Sequence, residues 1–159
     1  MTTREVQQTP QEKQQLYLEK INQFFEQIKE WLPNSFETVR TENSPIEDKT
    51  GEYQTPILFI VKKDKPDDAV ADLLPEGISF LTDDALIEIH GAYDDEEMIY
   101  MQENNQRYTI KNGGKCPMYQ GFVQEGWYWI TDLNQIRLIT KDLFIDLLNR
   151  VSAPLEVSV

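Results

Sequence analysis

Residues 9–32 read TPQEKQQLYLEKINQFFEQIKEWL, and this stretch decides how the rest of the chain must be arranged. Thr9 is placed to cap a helix, and Pro10 suits its first position, where a missing N–H costs nothing. Glu12, three residues after the cap, completes a capping box. Leu18, Ile21, Phe25, Ile28 and Leu32 recur at intervals of three and four, with Tyr17, Phe24 and Trp31 in a second row beside them. The pattern predicts a helix of roughly 34 Å at about 1.5 Å per residue, with an apolar stripe too wide for a coiled-coil seam. Such a stripe needs a broad apolar partner, and the strand-rich remainder of the chain offers one.

Outward from that helix, Pro33-Asn34 stops it, and residues 36–40 and then 44–48 read as strand before a turn at Asp48-Lys49-Thr50-Gly51. The run Ile57-Leu58-Phe59-Ile60-Val61 predicts a strand buried on both faces at the centre of a sheet, with Pro56 at its start or at a bulge. Val70, Leu73 and Leu74 share one side of a short helix expected over residues 67–74, ended by Pro75 and Gly77. Strands are expected at residues 78–81, 85–90 and 98–102, the last two joined by an acidic hairpin tip at residues 94–97. Asn104-Asn105 turns into a strand at residues 108–110, and Asn112-Gly113-Gly114 is a further break. Residues 118–123, 127–131 and 135–139 complete the strands. Thr140 then caps a final helix that turns Leu143, Phe144, Leu147, Leu148 and Val151 inward.

The expected fold is α+β: a mostly antiparallel, strongly twisted sheet packed by a long N-terminal helix and a short C-terminal one. One domain is expected over residues 9–153, with a flexible arm at residues 1–8 and a tail at residues 154–159.

A hydrophobic content of 40% across 159 residues supports a packed core and argues against disorder. No apolar run approaches the ~18 residues of a membrane span, and the N-terminal residues lack a signal-peptide core. The single cysteine excludes an internal disulfide framework, so a cytoplasmic location is expected. The net charge of −13 is unevenly spread: 17 of the 28 acidic residues but 4 of the 15 basic ones lie between Thr41 and Asn105. That middle segment carries the whole imbalance. It disfavours nucleic acid and anionic lipid, and favours solubility or a protein partner with a basic surface.

Alternation along residues 85–90 sets Glu88 and His90 on one face, a carboxylate beside the only imidazole. Cys116 sits in the loop-like Asn112-Gly113-Gly114-Lys115-Cys116-Pro117 context, and only His90 is available as its base. Asp94, Asp95, Glu96 and Glu97 lack calcium-loop spacing, and consecutive strand side chains point apart. Asp64, Asp67, Asp68 and Asp72 fail the same template, and Glu47, Asp48, Lys62 and Lys63 do not match a metal-dependent nuclease pattern. There is no phosphate-binding glycine loop, no G-x-S-x-G and no zinc spacing. No catalytic residue, metal or cofactor is therefore expected.

Tyr119, Phe122, Trp127, Tyr128 and Trp129 make both faces of a strand aromatic, a composition typical of binding anchors and of cores alike. The leading expectation is a protein-binding module of adaptor, inhibitor, immunity or chaperone type. Its contacts would come from Tyr119, Phe122, Trp127, Trp129 and the acidic Asp94, Asp95, Glu96 and Glu97. The alternatives are a carrier with an apolar cavity lined by Phe59, Phe122, Trp127 and Trp129, and a thiol enzyme using Cys116 with His90.

Overall fold

Thr9 and Pro10 begin the first helix as their chemistry requires. In the computed structural model, which describes residues 8–79, 84–102, 107–109, 115–117, 119–132 and 134–152, helix α1 spans Pro10–Trp31. Thr9 Oγ1 accepts the Glu12 N–H at 3.1 Å, satisfying one of the free donors of the first turn. Among the described residues nine strands follow: β1 (Phe36–Asp48), β2 (Gly51–Lys62), β3 (Lys65–Ile78), β4 (Ala85–Gly91), β5 (Asp95–Met101), β6 (Arg107–Thr109), β7 (Lys115–Pro117), β8 (Gly126–Asp132) and β9 (Gln135–Leu138). Helix α2 (Lys141–Val151) is the last described element, and Thr140 Oγ1 caps it by accepting the Leu143 N–H.

Seven strands form one antiparallel sheet in the order β1-β2-β3-β4-β5-β8-β9, and β6 pairs with β7 apart from it. Both helices lie on the same face. Tyr17, Ile21, Phe24, Phe25 and Ile28 of α1 and Leu143, Phe144, Leu147, Leu148 and Val151 of α2 are buried there against Leu58, Ile60, Leu73, Ile87, Ile89 and Met98. Each such side chain contributes roughly 1.5–3 kcal/mol by leaving water. The α+β arrangement with a long and a short helix is therefore as expected. Across the sheet, a smaller apolar cluster of Ile99, Met101, Tyr128 and Ile136 is roofed by Tyr119 and Phe122.

Four local expectations are corrected. Residues 67–74 are not a helix but part of β3, paired on both sides with β2 and β4. Ala71, Leu73 and Pro75 are buried in alternation, so a period of two wins once two ladders are available; the spacing of Val70, Leu73 and Leu74 had mimicked a helical face. The 57–61 run is second from the sheet edge rather than central, and Ile57 and Phe59 stay partly exposed. Residues 119–123 are not a strand; only Gln120 bridges to Gln135, and Gly121 has φ +115° with Ile136 O where a Cβ would sit. The hairpin tip lies at residues 92–94, with Asp95 already in β5. Residues 80–81, 104–105 and 112–114, where a strand end and two turns were expected, lie outside the described residues.

Pro56 falls opposite the β1 bulge formed by Glu42 and Asn43, where its missing N–H breaks no ladder bond. Two further contacts fix the strands that matter below. Asp48, buried at the end of β1, accepts from Thr50 N (2.7 Å), the Thr50 and Tyr53 hydroxyls and, across to β3, Ile78 N (2.9 Å). At the other end of the sheet, Val151 O of α2 accepts the N–H groups of Tyr93 (2.9 Å) and Asp94 (3.2 Å), which ties the β4–β5 hairpin to the helix end.

Candidate functional site

Along β4, alternation sends Ala85, Ile87 and Ile89 toward the helices and Leu86, Glu88 and His90 to the opposite face. Pairing then assembles a site no single strand contains. His90 lies between Asp72 of β3 and Asp95 of β5, and Glu88 lies between Leu74 and Glu97. His90 Nε2 is 2.7 Å from Glu88 Oε1, the pairing that alternation implied. The Nε2 atom itself is shut off from solvent.

The electrostatics follow from crowding like charges. Burial, then the approach of Glu88 and Glu97, pushes the Glu76 carboxyl up to about 8. The Glu88 carboxyl is held below its ordinary value by the hydrogen bond from Glu76 and, despite its burial, by His90. Asp72 is raised by burial, with His90 opposing and Asp95 reinforcing the shift. Glu76 and Glu88 thus share a proton while Glu88 also faces the imidazole.

The remaining expected site residues separate. Consecutive acids point apart as strand geometry requires: Asp95 and Glu97 join the His90 face. Glu96 accepts from Trp129 Nε1 (2.9 Å) and Arg150 Nε (2.7 Å) on the helix side. Asp94 lies 3.9 Å from the same guanidinium, which also stacks over the Trp129 ring. Trp127 is a core residue, 7% exposed and stacked on Phe24 at 5.1 Å. Phe122 stacks on Tyr128 at 5.9 Å, with Tyr119 in the same cluster. Cys116 lies in β7, and its side chain is outside the described residues.

Phe59 and Phe122 occupy the face opposite Trp127 and Trp129, so these four line no common cavity. An open cleft of about 500 Å³ lies instead between α1 and the β5–β8 end, walled by Phe24, Trp31, Tyr100 and Trp127. Lys20 sits 5.5 Å over the Tyr100 ring there, and the Tyr100 hydroxyl donates to Glu125 at 2.7 Å.

In the sequence Asp72 was weighed only together with Asp64, Asp67 and Asp68, and Glu76 was not singled out, because residues 67–74 read as a helix. The signal was present in the alternation of Ala71, Leu73 and Pro75. Asp48 was read as a turn residue and set aside as a nuclease ligand, although Asp-x-Thr-Gly is the pattern of a side chain folding back on the turn. No protein-family model, curated protein or solved structure matches the chain, and the site is read from its geometry alone.

Proposed function

We propose that the protein is a non-catalytic protein-binding module that meets a basic partner on the sheet face opposite its helices. One observation carries this reading. Over β5, β8 and β9 that face is covered by Tyr119 and Phe122, whereas over β1–β3 it presents partly exposed Ile57, Phe59 and Leu74 with Val39, 46% exposed. These stand beside the carboxylates Asp72, Glu76, Glu88, Asp95 and Glu97. Apolar side chains supply contact energy, and the acidic row selects a partner of opposite charge and speeds its approach. The aromatic anchors of this reading are thus moved from Trp127, engaged in the core, to Phe59.

The test is a photo-crosslinking residue placed at Val39 or Phe59 in the native cell, with Glu26 on the exposed side of α1 as control. An adduct specific to the first two positions is expected, with a basic protein whose purified form binds more weakly as salt rises. Adducts at Glu26 alone, or binding indifferent to Glu97→Lys, would end the proposal. The cleft beside Trp127 supports a second reading, a small aromatic ligand. Its signature is Trp127 fluorescence quenched by such a compound and restored by Phe24→Ala.

A further inference from the structure

We propose that Glu88, His90 and Asp95, with Asp72 beside them, form a binding site for a divalent first-row transition cation of the Zn²⁺ or Mn²⁺ kind. One donor atom from each of the first three lies within 4.8 Å of the other two. Around a cation with bonds of about 2.0–2.2 Å, adjacent ligand atoms stand roughly 3 Å apart and opposite ones roughly 4.3 Å. Side-chain rotation alone therefore closes the set. The donor chemistry narrows the cation: one imidazole among carboxylates suits transition metals, whereas Ca²⁺ and Mg²⁺ prefer oxygen throughout.

A second observation concerns the imidazole. His90 Nε2 is itself out of contact with solvent, on a side chain that is otherwise about a third exposed, and it faces the Glu88 carboxylate at 2.7 Å. A ring nitrogen held out of water beside one carboxylate is placed to share a metal ion with it. Outer groups are also in place to hold the ligands. Glu76 is hydrogen-bonded to Glu88, and Asp72 lies directly across from His90.

The backbone is prepared as well. His90 and Asp95 are cross-strand partners at the mouth of the β4–β5 hairpin, which Gly91 N closes onto Asp94 O at 3.0 Å. The carbonyl of Val151 holds the same turn through Tyr93 and Asp94. The site thus rests on two strands and a helix end rather than on a loose loop. The sequence expectation of no metal considered runs of acids. The ligands instead come from one face of two strands.

The experiment uses the full chain, free of tags and treated with chelator, carrying Cys116→Ser so that no thiol competes. His90 is the only histidine, so its imidazole gives one resolved set of NMR signals. Zn²⁺ is expected to bind once by calorimetry and to shift that set in step with binding. Mn²⁺ is expected to broaden it, and Mg²⁺ and Ca²⁺ at equal concentration to leave it in place. His90→Ala and Asp95→Asn are each expected to weaken Zn²⁺ binding about tenfold or more, with folding checked by circular dichroism. Asp94→Asn, whose side chain faces Arg150, is expected to bind as the parent does. Imidazole signals that stay fixed up to about 1 mM Zn²⁺, a limit corresponding to only ~4 kcal/mol of affinity, overturn the proposal. Unchanged affinity in both variants does so too. The NMR titration needs no substitution within the site, so a variant that failed to fold would not spare the idea.

Discussion

Replacing Asp48 by Asn removes one charge and turns one acceptor into a donor, and the structure shows where that donor has no place to go. Asp48 is 6% exposed and its two oxygens serve two donors each: Thr50 N and Oγ1 at Oδ1, Tyr53 Oη and Ile78 N at Oδ2. With the Asn oxygen facing Thr50, its NH₂ group meets the Ile78 N–H. With the amide flipped, it meets the Thr50 N–H. A hydroxyl can rotate and accept, but a backbone N–H cannot, so either orientation leaves one without an acceptor. That costs about 1–3 kcal/mol, and the surviving bonds lose their charge assistance. Against this, a buried carboxylate no longer has to be desolvated. The net expectation is a loss of about 2–3 kcal/mol at pH 7, a fall in Tm of roughly 5–10 °C for a chain of this size.

The pH dependence gives the second half of the test. Burial alone would raise the Asp48 carboxyl, but hydrogen bonds from Thr50, Tyr53 and Ile78 outweigh it and hold the group below 3.8. Its contribution is therefore present above the unfolded value and is lost as pH falls through the folded one. Urea unfolding of the parent and Asp48→Asn should show a gap that is constant from pH 7 to 5 and closes below about pH 4. A gap under about 0.5 kcal/mol at pH 7, or one unchanged at pH 3, would refute the reasoning.

Gly91 and Gly51 offer a paired contrast. A Cβ at Gly91 would lie 1.9 Å from Val151 O and 2.8 Å from Ser152 N, both backbone atoms, so Gly91→Ala is expected to cost more than about 3 kcal/mol in urea unfolding. At Gly51, φ is +115° but the nearest atom is 3.8 Å away, and Ala should cost only about 1–2 kcal/mol. Glu76 titrates in the opposite sense to Asp48. Its carboxyl, raised to about 8 from 4.5, stabilises the fold below the unfolded value, and that stability is lost as pH climbs through about 8. Thermal unfolding from pH 5 to 9 should therefore decline less steeply in Glu76→Gln than in the parent, and parallel profiles would contradict the shared proton.

Local signals were legible and pairing was not. Thr9, Pro10 and Thr140 act within one helical turn of themselves, and the buried faces of α1 and α2 repeat along their own segments, so both helices could be placed from sequence. β3 could not. Its identity depends on ladders to β2 and β4, and the same apolar positions fit a helical face until those neighbours exist. The candidate site divides the same way. Glu88 and His90 are two apart on one strand, and alternation alone puts them together. Asp72, Glu76, Asp95 and Glu97 reach them only through register, and a shift of one residue in either neighbouring strand would turn that strand's acids toward the helices.

The register places Glu88 directly opposite Glu97, with Glu76 reaching both and Asp72 and Asp95 on either side of His90. Like charges facing across a ladder destabilise a sheet. The proton shared by Glu76 and Glu88 and the imidazole beside it relieve part of this repulsion, and an added cation would relieve more. A metal ion and the lysines or arginines of a partner are the two ways to supply one, but they place different demands on the same residues. The metal needs the Nε2 lone pair, so its binding falls with His90→Ala. A basic protein surface needs only the carboxylates, and its binding survives that substitution while falling with Glu97→Lys. The two substitutions together assign the repulsion on this face to one cation or the other.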